Sequence, residues 1–408
     1  PLGTGGRGLS SPKGVREIEF STQAPTDHGD LGLFLARSIS ADASPVRVIV
    51  RGTGKHPFTP VQLPLGLTLE IRVEAPASGL EGDRPSWTAR GVEYEQPLID
   101  AIGGQLSLNG LRIGVDRGSR ITNVVRVQDG HLVLSDCRFI RRDAEGLEGG
   151  PLVHFLAPTT RPISVPFGQS ILDPPVDRPV CRVVGSVLIA DGVALRGEMG
   201  RGLLALSESA IASGQAAIEL IPTRVSKPRF ENDLWINHCT LVSDRDLLRT
   251  GEWPGRDPGP QRPWLISSSN SAYLAAFARR AGEAVLLRGD EKSLAHNDYF
   301  WQGYNDALDV ECFIATPSYD PTAGRNRDVV LQWVKYWGPN HVQLTTGPRL
   351  TSKVPSVRLN ERLQSGRVEP ADLVLDAEYR PGRPSLNVGA DLGKLGIVPR
   401  KSRTRPRR

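Results

Sequence analysis

LIDAIGGQLSLNGLRI at residues 98–113 and VVRVQDGHLVLSDCRF at residues 124–139 are one pattern written twice, 26 residues apart. Laid over one another, they place Gly104 on Gly130, Leu106 on Leu132, Leu108 on Leu134, Leu111 on Cys137 and Ile113 on Phe139. LWINHCTL at 234–241 repeats the second half, with Leu234, Ile236, Cys239 and Leu241 on the last four of those positions. Alternate side chains of a strand point to opposite faces, so two alternating apolar residues, a two-residue polar corner and two more alternating apolar residues spell strand, bend and strand. Recurrence at this period describes the coil of a β-solenoid.

A chain of 408 residues would ordinarily divide into two or three domains, but a solenoid grows by repetition and takes most of that length into one body. The 43 glycines and 33 prolines suit a β-rich chain with many turns. Residues 1–15 read as a flexible lead-in. The sole methionine is Met199, so the chain reads as a piece of a longer precursor with a further domain upstream. No apolar run approaches the ~20 residues of a membrane span. The net charge of +5 is concentrated in the tail: residues 400–408 (RKSRTRPRR) carry six basic groups and no acidic one. The body is therefore nearly neutral. The tail reads as a solvated terminus without aromatics for base stacking, and no nucleic-acid partner is expected. Four cysteines without CxxC spacing argue against a zinc site. Cys137 and Cys239 share a coil position and read as buried thiols.

Outward from the doubled coil, REIEF at 16–20 alternates as a first strand, and Asp30 precedes LGLFLARSI with Leu31, Phe34, Leu35 and Ile39 at helical spacing. Aspartate there is a good N-cap, so residues 16–45 are expected to form a strand and a helix that covers the open N-terminal end of the solenoid. The β-helix proper is expected over 46–315, in roughly eight to ten coils. VRVIVRG at 46–52 and LTLEIRV at 67–73 open it. Seven prolines in 141–180 and four in 249–263 mark lateral loops. Residues 316–399 are assigned to a C-terminal cap and extension, with a short helix over 328–338 that carries Trp333 and Trp337 on one face.

The runs SPVRVIVRGTGKHPFTPVQLPLGLTLEIRVEAP, GQLSLNGLRI, GHLVLSDCRF and PSLNVGADLG together resemble the all-β, right-handed parallel β-helix domains of the pectin-lyase-like superfamily. More narrowly, they are similar to the β-helix regions of large planctomycete-type bacterial proteins, some of which begin with a serine/threonine kinase-like domain. The resemblance spans most of residues 46–395. It implies a fold, and through it an extracellular or cell-surface setting and a polysaccharide or other glycan as partner. It does not by itself imply a reaction, because packing sets the coil motifs.

Enzymes of that superfamily work with clustered carboxylates. Asp100, Asp116, Asp129 and Asp136 fall on successive coils and either converge on a cation or sit at corners and outer faces, the second being the ordinary use of aspartate in turns. The Asp-Asp pair, Gly-His-Gly and Arg-x-Lys of polygalacturonase-like hydrolases are missing. DGH at 129–131 echoes them only in part, and His131 is expected on the solvent side of its strand. No catalytic residue, metal ligand or cofactor is assigned. The candidate binding residues are Asn297, Asp298, Trp301, Gln302, Tyr304, Asn305 and Asp306, a mixture of flat aromatic faces and hydrogen-bonding groups that suits sugar rings. The competing reading makes this segment an end-capping layer in which Trp301, Trp333 and Trp337 fill the solenoid end. The function expected is a non-catalytic scaffold or carbohydrate-binding module of a larger bacterial surface protein. The alternative is a polysaccharide lyase or glycoside hydrolase whose carboxylates come from different coils.

Overall fold

The computed structural model describes residues 15–23, 27–40, 45–76, 83–89, 95–116, 118–142, 150–157, 178–200, 202–223, 232–251, 264–275, 285–289, 299–310, 312–315, 368–375, 388–394 and 397. The helix expected over 328–338, the basic tail, most of both proline-rich loops, and Asn297, Asp298, Trp333 and Trp337 lie outside these residues.

Every paired strand runs parallel to its neighbours, and the strands form three long sheets that the chain visits in rotation. Sheet A consists of Arg16–Ser21, Val46–Arg51, Thr68–Val73, Gln105–Asn109, His131–Ser135, Val180–Val184, Gly202–Ser207, Asn232–Asn237, Trp264–Ser269 and Tyr299–Tyr304. Sheet B runs from Lys55–Phe58 to Ala307–Asp309, and sheet C from Val61–Gln62 to Cys312–Ala315, with nine strands each. This is a parallel β-helix of nine coils between Val46 and Ala315, within the range expected. At the strand spacing of a sheet its axis is roughly 40 Å long.

The register confirms the columns. Leu69, Leu106, Leu132, Cys181, Leu204, Leu234, Ile266 and Trp301 are successive partners across sheet A, and all are buried. Each leucine thus stacks on its counterpart one coil away. Truncating one to alanine would cost about 2 to 5 kcal/mol, because neighbours clamped by two sheets collapse poorly into the hole.

In each of the last seven coils the chain turns between sheets A and B on one left-handed residue: Gly110 (φ 75), Asp136 (φ 53), Gly185 (φ 55), Glu208 (φ 48), His238 (φ 49), Asn270 (φ 50) and Asn305 (φ 52). The residues that follow them, among them Cys137, Ser186, Ser209, Cys239, Ser271 and Asp306, are buried and tie adjacent coils together. Cys137 N–H donates to Ser186 Oγ, Ser186 N–H to Ser209 Oγ and Cys239 N–H to Ser271 Oγ, each at 3.1 Å. These small polar side chains satisfy backbone donors that the bend removes from the sheet ladders. Cys137 and Cys239 are free, buried thiols, and burial pushes both up to about 12, which leaves them unreactive.

At the N-terminal end the strand Arg16–Ser21 extends sheet A alone. Helix α1, Leu31–Ser38, lies against the first strands of sheets B and C and covers the interior there. Asp30 caps it, accepting from Leu33 N–H at 3.2 Å while also accepting from Thr59 N–H at 2.9 Å and Thr59 Oγ at 2.6 Å. The helix approaches so closely that a Cβ on Gly32 would collide with the Thr59 carbonyl.

A second apolar core lies outside the solenoid. Val187, Ile189, Ala210, Ala212, Val242, Ala272, Leu274 and Ala307 project from the outer face of sheet B and are buried by Val368, Leu373, Val374, Leu375, Val388, Ala390, Leu392 and Ile397. This C-terminal strap is fastened by Gly389 N–H to the Asn270 carbonyl at 2.8 Å and Ala390 N–H to Thr240 Oγ at 3.0 Å. Arg142 pairs with Glu369 at 3.2 Å, at the strap's other end. Among the described residues no helix is long and apolar enough to cross a membrane.

Candidate functional site

The expected binding segment is divided by the alternation of its own strand. Trp301 points inward, 2% exposed, with its ring 5.6 Å from Tyr273 in an edge-on contact. Its indole fills the solenoid and presents no face to the outside. Gln302 and Tyr304 take the opposite parity and are exposed, Tyr304 at 66%. Asn305 is the corner residue, its Nδ2 donating to Asn270 Oδ1 at 2.7 Å. Asp306 is buried, with Oδ1 accepting from Ser271 N–H at 2.9 Å, and burial pushes its carboxyl up to about 7. Nearby, the Tyr273 hydroxyl and Ser268 Oγ share a hydrogen bond of 2.6 Å.

Following the outer parity across sheet A leads from Tyr304 to a residue that the sequence reading passed over. Trp235, Ser267 and Gln302 are successive register partners, and Asn237, Ser269 and Tyr304 form the adjacent column. Trp235 is 43% exposed, and Asn237 and Gln302 are exposed. Trp235 and Tyr304 are two strands and two residues apart, about 12 Å between Cα atoms. Ser269 Oγ donates to Asn237 Oδ1 at 2.9 Å, which leaves Asn237 Nδ2 as a donor. The signal was legible: in LWINHCTL, with Leu234 and Ile236 inward, Trp235 must face out, where a large ring has no packing duty.

The outer face of sheet C differs in kind. Asp100, Arg126, His154, Arg196, Glu219, Arg249 and Arg288 are successive partners along one column. Arg126 grips Asp100 with two bonds of 2.8 and 2.6 Å, and Arg196 holds Glu219 at 2.6 Å. Asp246, 1% exposed, receives both Arg249 at 2.8 Å and Arg288 at 2.6 Å. His154 Nε2 lies 2.9 Å from Glu198 Oε1, and this bond holds the Glu198 carboxyl below the usual range. Glu219 and Asp246 share Arg249, at 3.6 and 2.8 Å. Each of these carboxylates is thus already engaged by a basic side chain: Asp100 by Arg126, Glu198 by His154, Glu219 by Arg196 and Arg249, and Asp246 by Arg249 and Arg288.

The four aspartates of the early coils separate. Asp129 and Asp136 are left-handed corner residues at two different bends, Asp100 is paired on sheet C, and Asp116 is exposed beyond the end of Arg112–Val115. Among the described residues no group of three or more metal-ligating side chains comes together. The expectation for His131 is corrected. By register it lies on the outer parity of sheet A, one residue before inward Leu132, yet it is fully buried with Nδ1 accepting from Val180 N–H at 3.3 Å. Val180 and Leu203, its successors in that column, are buried too, so this edge of sheet A is covered. Burial pushes the imidazole down to about 4.

Comparison with known proteins finds no matching family model, no matching curated protein and no matching solved structure. The parallel β-helix class therefore rests on the sheet topology, and function rests on the faces. Sheet A offers two exposed rings separated by hydroxyl and amide groups, the later strands of sheet B are closed by the strap, and sheet C is a lattice of mutually paired charges.

Proposed function

We propose that this protein is a non-catalytic β-helix scaffold that binds carbohydrate on the outer face of sheet A, as a module of a larger bacterial surface protein of pectin-lyase-like architecture. The observation that carries this reading is the pair Trp235 and Tyr304, exposed on one face with Ser267, Ser269, Asn237 and Gln302 between and beside them. An indole or phenol ring stacks on the apolar face of a sugar while hydroxyl and amide groups bond to its edge. The rigidity of the coils means that these groups need no ordering when a ligand arrives.

A second reading has one observation in its favour: two carboxylates, Glu219 and Asp246, flank Arg249 on sheet C. That is the composition a polysaccharide-active enzyme requires. The contacts weigh against it, because the same carboxylates are engaged by Arg196, Arg249 and Arg288.

The test is a glycan array with the wild-type chain and Trp235→Ala, run beside assays for reducing ends and unsaturated products. Binding that falls in Trp235→Ala without a change in thermal midpoint supports the reading. Absence of any bound glycan refutes carbohydrate binding, and product formation refutes the non-catalytic role.

A further inference from the structure

Resting on that reading of the sheet A face, we infer that its ligand is an uncharged glycan in an extended conformation, lying along the solenoid axis across the last three strands of the sheet. The first observation is charge. Among the strands Asn232–Asn237, Trp264–Ser269 and Tyr299–Tyr304, the sole ionisable group apart from tyrosine is Asp233, and Arg178 holds it at 2.7 Å. An acidic polymer needs cations placed against its carboxylates or sulfates. None of the six side chains of the patch supplies one.

The second observation is direction. A line from Trp235 to Tyr304 crosses the strands, so a chain following it meets a new row of side chains at each strand. The rows recur at about 4.8 Å, close to the length of one pyranose unit in an extended chain. Ser267 and Ser269 occupy the middle row, between the two aromatic platforms. A glycan running parallel to the strands would instead cover one ring and miss the other. The third observation is reach: two aromatic residues whose Cα atoms lie about 12 Å apart are bridged by an oligosaccharide of a few units and not by a monosaccharide.

The experiment is titration calorimetry with the full chain and three probes: a β-1,4-linked glucose hexamer, the corresponding disaccharide and a polygalacturonate hexamer, each at low and high salt. Trp235→Ala, Tyr304→Ala and Ser267→Glu are measured beside the wild type. The expected result is that the neutral hexamer binds, with an affinity unchanged by salt. It weakens at least tenfold in each aromatic variant and also in Ser267→Glu, while the disaccharide binds far more weakly and loses affinity in at most one aromatic variant. Tighter, salt-sensitive binding of the acidic hexamer that still requires Trp235 overturns the uncharged class but leaves the binding face intact. Hexamer binding that is lost in Trp235→Ala and untouched in Tyr304→Ala overturns the axial course. A neutral and an acidic hexamer that both fail to bind remove the present inference, and only a blank glycan array removes the binding reading beneath it.

Discussion

Sheets A and B are consecutive in every coil, share one corner and have the same parallel ladders, yet their outer faces have opposite fates. On the later strands of sheet B the outer positions hold Val187, Ile189, Ala210, Ala212, Val242, Ala272 and Leu274, and the strap buries them. On the matching strands of sheet A they hold Ala205, Ser207, Trp235, Asn237, Ser267, Ser269, Gln302 and Tyr304, and the face stays open. The backbone is indifferent to the distinction. One parity of side chains builds the coil, and the other decides whether a face is closed by the chain or left open.

The largest expected effect breaks this comparison most directly. Val242→Asp places an unpaired charge beneath the strap and is expected to cost about 3 to 5 kcal/mol in chemical denaturation, with proteolytic sensitivity appearing near residues 368–397. Ser267→Asp, at outer parity on sheet A, is expected to change stability by no more than about 0.5 kcal/mol. Equal costs would mean that the two faces are covered alike.

The corner joining the two sheets supplies the next. Asp306 has a carboxyl raised to about 7, against about 3.9 in an unfolded chain. A raised carboxyl is protonated in the fold while the unfolded chain is already ionised, so its contribution is fully present below about pH 4 and is lost as pH rises through about 7. Comparing urea midpoints at about pH 5 and about pH 8, Asp306→Asn should remove a decline of roughly 2 to 3 kcal/mol. An unchanged slope would place the carboxyl in contact with water.

Sheet A contains its own control in the covered edge at His131. Its imidazole is lowered to about 4, so the neutral form is favoured by the fold; that stability is present above about pH 6.5 and lost as pH falls toward 4. A His131→Gln variant should show an acid limb flatter by about 2 kcal/mol in the same denaturation series, leaving the open end around Trp235 unaffected. The smallest effect concerns the bend. His238 is a left-handed residue without glycine's freedom (φ 49), and His238→Gly is expected to raise stability by about 1 kcal/mol in thermal melts.

Much of the solenoid was legible in advance because inward residues obey a local rule. Leu106, Leu132 and Leu234 share a column because the alternation of a strand and the two-residue corner fix their direction whatever surrounds them. Asp30 was recognisable as a cap for the same reason, since its capping partner, Leu33 N–H, lies within one helical turn, whereas its bonds to Thr59 come from another coil segment. The candidate site was less legible. The segment 296–309 drew attention by composition, but alternation sends Trp301 inside and Tyr304 outside, and the companion ring, Trp235, sits two coils earlier in a stretch read only for its inward positions Leu234, Ile236, Cys239 and Leu241.

By itself, then, the sequence determined the coil: its period, its polar corners and the inward columns, all set by turn chemistry and side-chain parity within a few residues. Only the tertiary structure decided what lies over each outer face. The strap reaches sheet B from 150 residues away, where Ala390 meets Thr240, and His131 is buried although its parity points outward. Cover of this kind depends on where distant segments come to rest, and no local periodicity records it.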